Sequence, residues 1–118
     1  MKSAPLKMDN RVLLGNCRIA RDFFSRFMGL MGRTSLSDDE AIVFPKCDSI
    51  HTFFMRIPID VVMLDRDGKV VGIDEAMKPW RMMLPRRGVK HIVEMKAFRS
   101  RELGIVPGRV LEINGAWA

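Results

Sequence analysis

Apolar residues recur with two different periods along this 118-residue chain. In one segment, Phe23, Phe24, Phe27, Met28, Leu30 and Met31 fall three and four apart, which gives a helix one apolar face. Asp22 sits at the positive N-terminal end, and Gly32 is placed to stop the helix, so a short helix is predicted at about 22–31. Everywhere else the pattern is that of strands. Arg11–Leu14 and Cys17–Ala20 read as short strands around the turn dipeptide Gly15-Asn16. Ala41–Phe44 reads as a strand stopped by Pro45. Ile57 to Leu64 is almost wholly apolar and rich in β-branched residues, which predicts a central strand covered on both faces. Pro58 stands at its beginning, where a missing N–H is tolerated. Asp67-Gly68 is a hairpin turn, and Lys69–Ile73 returns antiparallel. Met77 to Arg87, with Pro79 and Pro85, reads as an irregular excursion. His91–Met95 is a further strand, and Gly104 to Ile113 closes the domain around Pro107-Gly108.

One short helix and six to eight short strands imply a mainly β (α+β) fold, an antiparallel β-sandwich or barrel with the helix packed on it. Residues 1–10 are expected to be an N-terminal tail and 11–118 a single domain, with neither a flexible linker nor an internal repeat. The composition is ordinary for a globular protein, with 47% hydrophobic and 29% charged residues. No run approaches the roughly 18 apolar residues of a membrane span, and the first residues carry no apolar secretory core. The expectation is a cytoplasmic protein. Cys17 and Cys47 are too few and too far apart for a disulfide framework and are read as two reduced thiols.

The net charge is +6 and lies on one side. Residues 78–118 hold nine Lys/Arg against Glu94, Glu102 and Glu112, whereas the first 77 residues are balanced. A basic half attracts anionic ligands or nucleic acid, or serves as a solvated face. Trp80, Phe98 and Trp117 are its aromatics, and no nucleic-acid-binding motif accompanies them, so the nucleic-acid reading is weak.

Ser49-Ile50-His51-Thr52-Phe53-Phe54-Met55-Arg56-Ile57-Pro58-Ile59-Asp60-Val61-Val62 resembles the signature of domain of unknown function family 192. Arg26 to Arg33, Lys78-Pro79-Trp80-Arg81, Val93-Glu94-Met95 and Gly104 to Gly108 agree with it in order, so the resemblance covers about residues 12–113. Two departures stand out. Ala97-Phe98 replaces the small-residue-plus-Gly turn usual in the family, and Arg109 replaces an Asp. The resemblance implies a jelly-roll-like β-sandwich and no established activity.

Cys47, His51, Arg56, Asp60, Trp80, Arg81 and Glu94 are the polar or reactive residues in these stretches. A Cys47–His51 nucleophile and base would lie roughly 13 Å apart in one extended strand and would meet only across a turn at Asp48-Ser49. Cys47, His51 and Met55 are soft-metal ligands in character, but in one strand their ends are about 26 Å apart, so no metal site and no cofactor is expected. Asp60, a carboxylate in an apolar strand, must be paired or protonated, and Arg56 or Arg81 is its expected partner. Trp80-Arg81 sets an aromatic plate beside a guanidinium, which suits a planar or anionic ligand. The function expected is a non-catalytic binding or accessory module for a small anionic or carbohydrate-like ligand, or a protein segment. The alternatives are a small enzyme using His51 with Cys47 or Asp60, and a weak nucleic-acid binder.

Overall fold

Asp9 and Asn10 both hold positive φ, 54° and 62°, and turn strand β1 (Lys2–Met8) back onto β2 (Arg11–Ile19). Asp and Asn tolerate this left-handed backbone, and two such residues in a row make a turn that matches the twist of a hairpin. The computed structural model describes residues 2–22, 30 and 32–118. The first ten residues are therefore not a tail: Ala4, Leu6 and Met8 alternate inward along β1 and are buried. Gly15-Asn16 is not a turn either, because β2 runs through it. The backbone N–H of Gly15 donates to Asp39 Oδ1 at 2.8 Å, and a Cβ there would stand 2.9 Å from Asp39 Oδ2. The glycine makes room for an acid from another loop.

β3 (Glu40–Phe44) lies parallel to β2, in the register Cys17↔Ala41 and Ile19↔Val43. The six-stranded sheet is thus mixed and not antiparallel throughout, because β3 starts at the end of the sheet at which β2 began. The remaining elements are β4 (Ile50–His51), β5 (Ile59–Leu64), β6 (Val70–Met77), β7 (Met82–Met83), β8 (His91–Lys96) and a four-residue helix α1 (Arg99–Glu102). The sheet order is β1-β2-β3-β8-β5-β6, and β4 and β7 pair separately. All six residues of β5 are buried, as its apolar run predicts. The β5–β6 hairpin turns at Asp67-Gly68: Asp65 Oδ1 accepts from the N–H groups of Asp67 and Lys69 at 2.9 and 3.0 Å, and Gly68 holds φ 85°. Of the helix expected at about 22–31, residues 23–29 and 31 lie outside the described residues.

Both faces of the sheet are covered. On one, Cys17, Val43, Val62, Leu64, Val93 and Met95 meet Ile105, Leu111, Ile113 and Ala116 of the C-terminal segment. On the other, Ile42, Ile59, Val61, Met63 and Ile92 meet Leu30, Leu36, Met55, Met83 and Val89. Each Val, Leu, Ile or Met side chain among them contributes about 1.5–3 kcal/mol when fully buried. The C-terminal segment also reaches both edges of the sheet, bridging Lys7 to Glu112 and Lys69 to Val110. Its hydrogen bonds satisfy backbone groups that open edges would leave exposed. Among the described residues, no helix is long and apolar enough to cross a membrane.

Candidate functional site

Four aromatic rings run together beside the two-stranded β4–β7 sheet. His51 stacks on Phe53 (centroids 5.1 Å apart), Phe53 on Trp80 (6.0 Å), and Phe54 tilts against Trp80 at 4.8 Å. The pairing of Ile50 with Met83 and His51 with Met82 brings these two segments side by side. Thr52, fully buried, clasps them. Its hydroxyl donates to Lys78 O at 2.8 Å and accepts from Arg81 N–H at 2.8 Å. Its backbone N–H donates to Arg81 O at 2.8 Å, and its carbonyl accepts from Trp80 N–H at 2.9 Å.

Phe54 and Trp80 both hold left-handed backbones, φ 65° and 62°, and each leaves 56% of its surface exposed. For bulky non-glycine residues that backbone costs on the order of 1–3 kcal/mol each, and it persists only where neighbours over-determine it. Here the Thr52 bonds do so for Trp80, and Gly32 N–H, donating to Phe54 O at 3.0 Å, helps to fix Phe54. The two rings wall a cleft of about 450 Å³ completed by Gly32, Met55 and Arg56. His51 Nδ1 accepts from Phe53 N–H at 3.3 Å, so the neutral ring carries its proton on Nε2.

The structure thus brings His51, Trp80 and Arg81 to one pair of strands and sets Arg56 at the adjoining cleft. Asp60 is elsewhere. It is fully buried, and its partner is neither Arg56 nor Arg81. Oδ1 accepts from Ala76 and Phe98 N–H at 2.9 Å each, and Oδ2 accepts from Ser100 N–H at 3.0 Å and Ser100 Oγ–H at 2.5 Å. The side chain of Asp60 reaches the start of α1, where unpaired backbone N–H groups favour an anion. It needs no guanidinium.

Glu94 is buried in β8, with Ile42 and Val61 as its cross-strand partners. Its Oε2 has no hydrogen-bond partner among the described residues. Burial pushes its pKa from 4.5 up to about 8, so it is mainly a neutral acid at pH 7. Cys47 lies half-buried, its thiol donating to Ser49 O at 3.0 Å and its backbone N–H to Lys90 O at 2.8 Å. Cys17 is sealed in the core, and burial pushes its pKa up to about 12. Among the described residues no three His, Cys, Asp or Glu side chains converge as metal ligands.

Sequence reasoning missed Thr52, Phe53 and Phe54, although they stand inside the most distinctive stretch. Attention to reactive groups passed over a hydroxyl whose work is to hold two loops. The basic half is also less charged in effect than its composition implies. Arg86, Lys96, Arg99, Arg101 and Arg109 are paired with Asp74, Asp38, Glu102, Glu75 and Asp9.

The chain is 38% identical over 92 residues to a UPF0127 protein of Thermococcus sibiricus, an alignment covering 75% of this chain. It spans only 59% of that relative's length. Among solved structures, a protein of unknown function from Novosphingobium aromaticivorans superposes with a TM-score of 0.77 at 26% identity, over 92% of this chain and 83% of that one. A Sinorhizobium meliloti protein shares the fold with a TM-score of 0.79 at 23% identity, over 98% of both chains. The DUF192 family model, described as "Uncharacterized ACR", matches residues 5–113, and the chain belongs to this family.

Proposed function

We propose that this chain is a non-catalytic binding module whose aromatic cleft takes a small ligand with a flat ring face and an anionic group, of the acidic-sugar type. The observation that carries this reading is the pair Phe54 and Trp80. Both are held in left-handed backbone, and both present more than half of their surface to solvent. A fold with no use for those rings would gain by relaxing the strain and burying the apolar area. Aromatic plates with a few polar groups at the rim are the usual make-up of small-molecule sites, and Arg56 on the cleft wall supplies a planar cation for a carboxylate.

Two placements support binding over catalysis. Asp60 is already saturated by four hydrogen bonds, and Glu94 is enclosed in the core. Neither lines the aromatic cleft. The ion pairs of the basic half weigh against nucleic acid, since five of its nine cations are already partnered by carboxylates. As a β-sandwich or barrel of jelly-roll type, the fold would carry this cleft at the loops flanking the β4–β7 pair.

The test is a thermal-shift and calorimetric screen of glucuronate, galacturonate, glucose and simple carboxylates against the wild type, Trp80→Ala and His51→Ala. An acidic sugar is expected to raise the melting temperature, with a stabilisation of about 2.7 kcal/mol at a hundred times its Kd. Trp80→Ala abolishes that shift. Absence of any shift, or a shift that survives Trp80→Ala, overturns the reading.

A further inference from the structure

We propose that a second cleft, at the strand ends where β3 and β5 finish and β8 begins, binds a small soluble phosphate-bearing anion. Three cations line it: Lys46, two residues beyond β3; Arg66, in the β5–β6 turn; and Lys90, just before β8. The register explains why they meet. Phe44 pairs with Ile92 and Leu64 with His91, so the ends of three neighbouring strands, about 4.8 Å apart, each deliver one cation to the same edge. Among the described residues none of the three has a carboxylate within ion-pair distance, in contrast to the paired arginines of the same molecule. Among the described residues, Asp48 is the single acid on the wall. Three like charges in one concavity repel one another, and a concave low-dielectric wall concentrates their field where an anion would sit. The phosphate class follows from this excess of cations, which suits a multiply charged anion better than a single carboxylate.

The floor is rigid and neutral. His91 is buried; Lys46 N–H donates to its Nδ1 at 2.9 Å, and its Nε2 faces Arg66 O at 3.3 Å. With Nδ1 accepting, the proton belongs on Nε2. Cys47 N–H donates to Lys90 O, and Lys90 N–H to Leu64 O, each at 2.8 Å, which ties the cation-bearing backbone to the sheet. Trp117 lies 4.6 Å from the His91 ring, anchored by its indole N–H donating to Leu111 O at 2.7 Å. It gives the cleft one apolar wall. The space is about 400 Å³, which suits a small phosphate ester whose organic part lies against Trp117.

Cys47 lines the same cleft and serves as its reporter, because Cys17 is sealed in the core. The experiment follows alkylation of Cys47 by iodoacetamide, an uncharged reagent, in the full chain at 150 mM NaCl, with inorganic pyrophosphate as the probe. Saturable protection of at least fivefold is expected, with one pyrophosphate bound per chain by calorimetry. The double variant Lys46→Ala/Lys90→Ala is expected to raise the half-protecting concentration at least tenfold. Lys2→Ala/Lys7→Ala, which removes the same charge elsewhere, leaves it unchanged, as does Trp80→Ala. Both lysine pairs are on the surface, and urea unfolding of each variant confirms a native fold before the comparison. No saturable protection, equal protection by chloride at matched ionic strength, or equal loss in the Lys2/Lys7 pair overturns the proposal. A sedimentation arm uses phosphatidylcholine vesicles with one-fifth phosphatidate. No co-sedimentation is expected, and co-sedimentation lost only in the Lys46/Lys90 variant would assign the cations to a lipid surface and overturn the soluble ligand.

Discussion

Asp60 and Ser100, forty residues apart in the chain, are joined by a 2.5 Å hydrogen bond from the serine hydroxyl to the carboxylate. The same carboxylate takes three backbone N–H groups, so one side chain in β5 fixes the end of β6, the Phe98 corner and the start of α1. Asp60→Ala leaves four donors without their acceptor at once, the two of Ser100 among them buried. It is expected to cost about 1–3 kcal/mol for each donor that stays both buried and unpaired. Ser100→Ala removes one bond to a charged acceptor and is expected to cost about 1.5–3 kcal/mol. Urea unfolding of the two variants measures both. A loss below 1 kcal/mol in Asp60→Ala would mean that the corner holds without it.

Thr52 offers a second test, this time of the aromatic site. Thr52→Val keeps the shape of the side chain but removes the acceptor for Arg81 N–H and the donor for Lys78 O. A buried backbone donor left unpaired costs about 1–3 kcal/mol. The loss should fall locally, releasing Trp80 from its left-handed backbone. In a Trp117→Phe background, Trp80 is the sole tryptophan. Its fluorescence anisotropy is expected to fall on Thr52→Val, while far-ultraviolet circular dichroism stays the same. Unchanged anisotropy would show that the ring stacking alone holds Trp80.

The parts of the fold that were legible are those fixed by local chemistry. Asp67-Gly68 names its own turn, and the apolar run of Ile59–Leu64 announces burial on both faces. What escaped was decided by distant partners. Gly15-Asn16 looks like a turn until Asp39 fills the space beside Gly15. The parallel pairing of β2 with β3 is a matter of strand direction, which periodicity does not carry. Lys2–Met8 reads in the sequence as part of a tail, although its buried residues alternate in the manner of a strand and Pro5 stands in its middle. Pro is tolerated there because β1 is an edge strand of the sheet. The site divides in the same way. Asp60 stood out as an anomaly, yet three of its four donors are backbone N–H groups, which no residue type announces. His51, Trp80 and Arg81 come from separate segments, and the β4–β7 pair is what joins those segments.

Gly68 tests whether the C-terminal segment is fastened to the hairpin or only rests on it. A Cβ at this position would lie 2.6 Å from Leu111 O, a backbone atom, and would also meet the Trp117 indole. Leu111 cannot retreat freely, because its N–H donates to Gly68 O at 2.9 Å. Gly68→Ala therefore combines the left-handed penalty of about 1–2 kcal/mol with a clash against fixed backbone. The expected result is a larger destabilisation than at Gly104, where φ is 72° but nothing lies within 4 Å of the added carbon. Equal losses in the two alanine variants would mean that the segment moves aside at little cost.

Glu94 sets the pH dependence of stability. Below pH 4.5 it is protonated in both the folded and the unfolded chain, and its burial as a neutral acid carries no ionisation penalty. As pH rises from 4.5 to about 8, the unfolded chain ionises while the buried side chain keeps its proton. Folding then binds a proton, and stability falls by up to about 1.4 kcal/mol per pH unit across that window. His91 works in the opposite direction at lower pH. Burial depresses its pKa below the ordinary 6.5, so stability is lost there as pH falls and the unfolded imidazole protonates. Asp38 and Glu40, both held below their ordinary values, act lower still. Above about pH 7.5 the unfolded imidazole is almost wholly neutral, so across pH 6.5 to 8 the His91 contribution fades and the difference between wild type and Glu94→Gln isolates Glu94. Urea midpoints of the wild type should decline relative to Glu94→Gln across that interval, because glutamine has no proton to lose. A decline of the same slope in Glu94→Gln would assign the titration to another group and leave Glu94 ionised in the core.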